Sequence, residues 1–277
     1  TRDSIVVGFA LFSMFFGAGN LIFPPALGNM LGDKYLLGIV GFVLTGVGLP
    51  LLAILACSRG NGTFEGITNK IGVKFTLILT TVLFFAIGPL LAIPRTAATT
   101  FEISIFPFFP NWSPIIVMAI YFIINLFFVL RRSSIIDTIG KFLTPALIII
   151  LAIVIVKGVI SPIGEIVSTD ATNVLSTSLL EGYQTMDALA ALLFAGVITS
   201  SIIDKGYKGK EINSVLLKAS IIAVIGLAFV YGGLTYIGAH TVNLVDANIS
   251  NTSLLVFIAR RILGTFGVGL IGAAIGL

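Results

Sequence analysis

Long apolar stretches separated by short polar ones run through the whole chain. A helix needs about 20 mostly apolar residues to cross a bilayer, and eight stretches come near that length. We therefore predict an all-α polytopic membrane protein, with a single transmembrane domain over residues 1–277. The predicted spans lie at about residues 5–31, 35–58, 75–95, 113–130, 136–159, 172–203, 212–238 and 261–277. The polar stretch 240–260 is expected to form an external loop with short helices.

The first span is interrupted at SMFFGAGNLIFPP, residues 13–25. The GAGN sequence at residues 17–20 favours an unwound turn. Just beyond it, Pro24 and Pro25 have no backbone amide hydrogen to donate within a helix. Backbone that leaves the helix at membrane depth must line a cavity or be buried, because lipid offers it no hydrogen bonds. We interpret the segment as a break in the helix. The alternative is close packing through small residues with a proline kink.

The sixth span is interrupted by a polar cluster within LLEGYQTMDALAALLFAG, residues 179–196. Asp187 is followed by sixteen uncharged residues, so it lies well inside the span or at a break. Ionisable groups inside a membrane usually face a water-filled cavity or a partner. The alternative for Asp187 is the N-cap of the following half-helix, and for Glu181 it is a place at the outer rim.

Interruptions in spans one and six have the spacing of a five-plus-five inverted repeat. Paired broken helices indicate the binding site of a secondary transporter. Helix N-termini there would hold a carboxylate, whereas unwound carbonyls would hold an ammonium group or a sodium ion. Sodium is a hard cation that prefers oxygen ligands, by analogy with calcium. The predicted cation ligands are Phe16, Ala18, Asn20, Thr185 and Asp187.

Composition excludes several classes of protein. The chain is 57% hydrophobic and only 10% charged, whereas a soluble domain carries about 25% charged residues. One Cys and one His cannot form a disulfide framework, a zinc cluster or a Cys/His nucleophile pair. We therefore expect no enzyme, no transition-metal site and no cofactor beyond a coupling ion, Na⁺ or H⁺. A channel would line its pore with repeated polar residues, and no such stripe is evident.

The positive charges predict an orientation rather than a nucleic-acid partner. Lysine and arginine favour cytoplasmic loops, and a cytoplasmic N-terminus places eleven of them inside and five outside. The inside set is Arg2, Arg59, Lys70, Lys74, Arg131, Arg132, Lys141, Lys205, Lys208, Lys210 and Lys218. The outside set is Lys34, Arg95, Lys157, Arg260 and Arg261. The partners expected are a bilayer and a small substrate, with no nucleic acid, and the pattern does not indicate an oligomeric state.

Three motifs carry a specific resemblance. The segments GFALFSMFFGAGNLIFPPALG (8–28), GPLLAIPRTAATTFE (88–102) and EGYQTMDALAALLF (181–194) resemble the branched-chain amino acid:cation symporter family, of the bacterial LIV-II or BrnQ type. Such proteins are similar in plan to the LeuT-like, amino acid–polyamine–organocation superfamily. The resemblance implies about twelve spans in the plasma membrane, and sodium- or proton-driven uptake of leucine, isoleucine and valine. We thus expect the front portion of a longer protein, truncated in helix 8.

The resemblance also implies a substrate site at the two breaks. The expected substrate-binding residues are Gly17, Ala18, Gly19, Asn20, Gly182, Tyr183, Gln184 and Thr185. The third span could add an apolar pocket through Phe85, Gly88, Pro89 and Ala92, which share roughly one helical face. Ordinary helix packing would explain that face equally well.

Overall fold

Helices account for nearly all regular structure in this protein. The computed structural model describes residues 2–60, 62–130, 144–246 and 248–276, and these are about 80% helical with no strand among them. The start of the expected span 136–159 and the charges Arg131, Arg132 and Lys141 lie outside the described residues.

The α-helices are numbered here in chain order. They are α1 (Arg2–Phe15), α2 (Ala18–Leu31), α3 (Tyr35–Val43), α4 (Leu49–Ser58), α5 (Phe64–Thr68), α6 (Val73–Phe85), α7 (Ala92–Thr100), α8 (Pro114–Leu130), α9 (Thr144–Ile160), α10 (Val174–Tyr183), α11 (Asp187–Asp204), α12 (Lys210–Ala239) and α13 (Asn251–Gly276). A 3₁₀ turn at Gly32–Lys34 joins α2 to α3. Wider π-helical turns lie at Leu44–Gly48, Ala86–Leu90 and Phe101–Ile105.

Several continuous helical stretches are long and apolar enough to cross a membrane. Within the described residues there are five: Ala18–Ser58, Val73–Ile105, Val174–Asp204, Lys210–Ala239 and Asn251–Ala273. The helices α8 and α9 are apolar but shorter. This architecture agrees with the predicted all-helical polytopic class.

The long helix α12 lies at the centre and packs along both α1 and α2. The contact with α2 brings backbone against backbone. A Cβ built on Gly28 would lie 1.9 Å from the carbonyl oxygen of Thr235, and one on Gly238 would lie 2.1 Å from that of Pro25. Small residues permit this approach between membrane helices, where dispersion rather than the hydrophobic effect drives association.

Other helices complete the bundle around this centre. Helix α3 packs against α10, α4 packs against α11, and the π turn at Phe101–Ile105 packs against α13. On the outer faces of α6 and α8, Leu77 and Ile115 are 68% and 75% exposed. An apolar outer surface of this kind is what a lipid environment accommodates.

The region before the last helix differs from the expectation. The hydroxyl of Ser250 accepts a hydrogen bond from the Ser253 amide at 3.2 Å, and α13 begins at Asn251. The expected external loop 240–260 is therefore replaced by helix over about its last half, from Asn251, and the span expected at 261–277 lies inside α13 as far as Gly276. Gly264 leaves helical geometry within it (φ 66°, ψ −155°).

Candidate functional site

The first break is short. Helix α1 ends at Phe15 and α2 begins at Ala18, with Gly17 extended at φ −100° and ψ −178°. The Gly17 amide donates to Asn20 Oδ1 at 3.2 Å. The expected unwound segment was longer, at 17–20. The structure instead concentrates the change of backbone at residues 16–17 and places Asn20 in the first turn of α2.

The two prolines extend the effect of this break without ending the helix. Helix α2 continues through Pro24 and Pro25, both of which are buried. Because proline has no amide hydrogen, the carbonyls of Asn20 and Leu21 lack their helical donors four residues ahead. The start of α2 therefore offers backbone oxygens that a regular helix would have used.

The second break spans residues 184–186. Helix α10 ends at Tyr183, and Met186 takes the left-handed conformation (φ 67°, ψ 9°) before α11 begins at Asp187. That conformation is uncommon for any residue other than glycine. Met186, not Asp187, is the N-cap of α11, so the N-cap alternative for Asp187 is wrong. Its carboxylate belongs to the first turn, where the helix dipole favours negative charge.

Three buried side chains join the two breaks to α12. Asn20 Nδ2 donates to Asp187 Oδ2 at 2.6 Å and also contacts the Tyr231 hydroxyl. That hydroxyl donates to the same carboxylate oxygen at 3.4 Å. Asn20 and Tyr231 are fully buried, and Asp187 is 5% exposed. The Gly17 amide fixes the orientation of the Asn20 side chain, since a flipped amide would place an oxygen against the carboxylate.

Arg95 occupies the other side of the second break. Its Nη1 donates to the Gln184 carbonyl at 2.9 Å, and its Nη2 donates to the Thr185 carbonyl at 3.1 Å. The break removes the helical partners of these oxygens. Thr185 is buried whereas Gln184 is exposed, and a buried acceptor without a partner costs about 1–3 kcal/mol. The sequence interpretation put Arg95 among the external charges. In the structure Arg95 lies on α7, with its side chain against both broken spans.

A cavity of about 640 Å³ lies between these elements. Ligand sites commonly occupy about 300–1,000 Å³ and combine apolar walls with a few polar groups. The polar lining comprises Asn20, Arg95, Thr96, Tyr121, Asn125, Thr185 and Asp187. The remainder of the lining is Met14, Phe15, Gly17, Ala18, Ile87, Ala92, Ile93, Phe122, Leu126, Met186, Ala190 and Phe194. The cavity therefore combines one carboxylate, one guanidinium and an extensive apolar wall.

The structure brings about half of the expected site residues to this cavity. Those that line it are Gly17, Ala18, Asn20, Thr185 and Asp187. Those that do not are Phe16, Gly19, Gly182, Tyr183 and Gln184. Tyr183 is 49% exposed, and a Cβ on Gly182 would lie 2.5 Å from the Phe42 carbonyl oxygen. Of the four residues expected from the third span, only Ala92 lines the cavity.

Glu181 lies apart from this site. It accepts a hydrogen bond from Gln184 Nε2 at 3.3 Å. It lines a separate cavity of about 430 Å³, together with Asn29 and Thr169. The two acidic residues of the sixth-span cluster therefore face different spaces.

Several polar residues of the site were not expected from the sequence: Arg95 and Tyr231, which bind the two breaks, and Thr96, Tyr121 and Asn125 of the cavity lining. Arg95 is the only charged residue between Lys74 and Glu102, and this isolation was a usable signal, since a lone charge within a membrane span usually faces the bundle interior. Tyr231 gave no comparable signal. A tyrosine within an apolar helix is compatible with any face, and only the packing of α12 against α2 brings its hydroxyl to Asn20.

The whole chain matches a family of known proteins. The family model for branched-chain amino acid transport proteins covers residues 1–277. The chain belongs to this family. The family is one of transporters rather than enzymes, and the apolar helices are those of a multi-pass membrane protein. No solved structure matches the chain.

Permeases and putative carriers are among its relatives. The chain is 37% identical to the branched-chain amino acid permease BraB of Bacillus subtilis, over 99% of this chain and 63% of that protein. It is 36% identical to a putative branched-chain amino acid carrier protein of Staphylococcus haemolyticus, over 100% of this chain and 66% of that protein. A putative branched-chain amino acid carrier protein of Staphylococcus aureus is 38% identical, with the same coverage. The chain thus spans 63% to 66% of the length of these relatives.

Proposed function

We propose that the protein is a secondary active symporter that imports branched-chain amino acids together with sodium or protons. The observation that carries the proposal is the cavity between the two breaks, where Asp187 and Arg95 share an otherwise largely apolar wall. The protein would work by alternating access, with the two broken spans as equivalent elements of a five-plus-five inverted repeat. The names of its relatives support the substrate class.

The chemistry of the cavity suits a zwitterion with an apolar side chain. A guanidinium binds carboxylates through charge-assisted hydrogen bonds, and Arg95 supplies the positive charge of the cavity while its Nη1 and Nη2 also donate to the carbonyls of Gln184 and Thr185. The Asp187 carboxylate, which also lines the cavity, suits an ammonium group. Apolar pockets discriminate a single methylene by only about 1–3 kcal/mol. We therefore expect leucine, isoleucine and valine to share the site with overlapping affinities.

Asp187 is the best-supported group for ion coupling. Asn20 Oδ1 already accepts from the Gly17 amide, and the Thr185 carbonyl already accepts from Arg95. Other predicted ligands, the carbonyls of Phe16 and Ala18, lie at the first break. A buried carboxylate can respond either to sodium, by direct ligation, or to protons, by protonation.

Uptake of labelled leucine by cells that express the protein tests this function. We expect accumulation that follows an imposed cation gradient and collapses when an ionophore removes it. Replacing sodium with choline at fixed pH separates the two ions, because unchanged uptake would exclude obligatory sodium coupling. Uptake that never exceeds equilibration with the medium would overturn the proposal and favour a channel.

A related transporter of another amino acid is the second candidate. Thr96, Tyr121 and Asn125 add polar groups to the cavity wall, and these would suit a more polar side chain. Competition between labelled leucine and a panel of unlabelled amino acids separates the two candidates. Stronger competition by serine or threonine than by isoleucine and valine would favour the second.

We also propose a plasma-membrane location with a cytoplasmic N-terminus. The distribution of lysine and arginine supports this orientation even after Arg95 is removed from the external set, since its side chain lies in the cavity. Labelling of single engineered cysteines in intact cells would test it.

A further inference from the structure

Arg95 is the side chain of α7 that contacts both broken spans. We propose that Arg95 is a positioning residue, which holds the second break against α2 and thereby keeps Asp187 on Asn20. The inference deepens the proposed function, on which its transport measurements rest. It assigns to the third span a role in shaping the substrate site.

The contact with the second break is bidentate. Two nitrogens of one planar guanidinium donate to the consecutive carbonyls of Gln184 and Thr185. The rigid fork of arginine fixes the direction of both hydrogen bonds. A second cation in the protein does the same to another irregular segment: Lys34 Nζ donates to the carbonyls of Thr169 and Ala171 at 2.8 and 2.9 Å. In both places a cation replaces the amide donors that a helix would have supplied.

The contact with α2 depends on a glycine. A Cβ built on Gly19 would lie 3.0 Å from Arg95 Nη2 and 3.1 Å from Cζ. The guanidinium also lies over the Phe23 ring, with Cζ 5.5 Å from the ring centroid. Gly19 therefore leaves the space that the guanidinium occupies, which gives this glycine a role although it does not line the cavity.

The bidentate contact of Arg95 with the carbonyls of Gln184 and Thr185, here called the clamp, is connected to Asp187 through hydrogen bonds of Thr185. Thr185 is fixed at its carbonyl by Arg95 and at its hydroxyl by a bond to the Gly182 carbonyl at 2.8 Å. The same hydroxyl accepts from the Asp187 amide at 3.4 Å. Movement of Thr185 would therefore shift the start of α11, and with it the carboxylate that Asn20 and Tyr231 bind.

Hydrogen–deuterium exchange tests the clamp without any transport measurement. In Arg95→Gln we expect the amides at 185–190 to exchange at least about tenfold faster than in the parent protein, because local opening of the break becomes easier. The control is Arg261→Gln, which removes an exposed arginine that lies over the Phe257 ring. Unchanged exchange at 185–190 in Arg95→Gln would overturn the proposal.

A double-mutant cycle with Gly19→Ala separates positioning from a general loss of structure. Each single variant should raise the KM for leucine, Arg95→Gln by about tenfold and Gly19→Ala by less. Contacting residues show non-additive effects. Gly19→Ala should therefore have a smaller further effect once Arg95 is replaced, since the added methyl then loses its contact with the guanidinium and keeps only the one with Phe23 Cε2, at 3.1 Å. Multiplicative effects would contradict the proposal.

The two readouts also separate this inference from the proposed function. A parent protein that neither binds nor transports leucine would refute the function, while faster exchange in Arg95→Gln would still support the clamp. Normal transport with slow exchange in Arg95→Gln would refute the clamp and leave the function intact. Arg95→Lys, by analogy with the contacts of Lys34, should restore part of the slow exchange.

Discussion

At the scale of single residues, the site depends on three buried polar side chains that serve as hydrogen-bond partners for one another. Asp187 Oδ2 accepts from both Asn20 and Tyr231, and Asn20 is held in turn by the Gly17 amide. Inside a protein such a network is favourable when complete and costly when one member is missing. Each member can therefore be tested by its removal.

Asp187→Asn and Asn20→Ala should impair transport more than folding. Asp187→Asn keeps the size of the side chain but removes the charge proposed to respond to the cation. Losing a hydrogen bond to a charged group costs about 1.5–3 kcal/mol, so we expect at least about tenfold slower leucine uptake. Membrane abundance, measured by immunoblot, serves as the reference. Abundance that falls as far as uptake would assign both residues a structural role.

Tyr231→Phe removes only the hydroxyl that meets Asn20 and Asp187. We expect uptake to fall by roughly five- to thirty-fold, in line with the loss of about 1–2 kcal/mol when a buried hydrogen bond is removed. The matched control is Tyr236→Phe, since Tyr236 also lies in α12 but its ring packs against Tyr35 of α3 and against His240. Equal effects of the two substitutions would show that the Tyr231 hydroxyl has no special role.

Single residues of the site were predictable where the sequence breaks a pattern. The glycines and prolines of residues 13–25 and the acidic residue Asp187 interrupt apolar runs, and the structure places breaks at or beside them. Tyr231, by contrast, does not interrupt the apolar pattern of its helix. Its part in the site follows from the rotation of α12 about its axis, which apolar periodicity does not determine in a helix that is buried on several sides.

At the scale of elements, the α2–α12 contact fixes the half of the site that α12 supplies. The carbonyls of Pro25 and Thr235 occupy the space where a side chain on Gly238 or Gly28 would be. Any increase in the distance between these helices would carry the Tyr231 hydroxyl away from Asn20.

Gly28→Ala and Gly238→Ala should therefore lower the amount of folded protein. A methyl group overlapping a backbone oxygen forces the helices apart, and overpacking costs about 1–3 kcal/mol. Detergent-solubilised protein measured by size-exclusion fluorescence should show the loss. The control is Gly269→Ala in α13, where a Cβ would meet nothing within 4 Å. A loss no greater than that of Gly269→Ala would contradict close packing here.

Element boundaries were less predictable than element type. Ser250 begins α13 as a capping residue, but the polar residues that follow it dilute the apolar signal, so the span was expected to start only at 261. Helix pairing was also not predictable. Which helices meet depends on small residues such as Gly28 and Gly238, and the chain contains 30 glycines.

At the scale of the whole molecule, composition alone determines the class. With 10% charged residues the chain cannot cover a soluble surface, and the outward faces of α6 and α8 are accordingly apolar. The five-plus-five relation between the broken spans remains a prediction. Its two members differ in detail, since an extended glycine forms one break and a left-handed methionine forms the other.

The charge balance of the cavity has an electrical consequence. Among the described residues that line it, Asp187 and Arg95 are the charged ones, and they cancel. A bound zwitterion also adds no net charge, so a single coupling cation would be the only uncompensated charge of the loaded site. Moving one charge through the membrane potential is worth about 2.3 kcal/mol per 100 mV.

Leucine uptake should therefore respond to voltage as well as to concentration. An inside-negative potassium diffusion potential, set with valinomycin in proteoliposomes, should raise the initial rate, and reversing the potential should lower it. Initial rates that do not change with the membrane potential would contradict net movement of one charge per transport cycle. In a cell that maintains a negative interior, the opposite charges of Asp187 and Arg95 would thus let the membrane voltage drive accumulation of an electrically neutral nutrient.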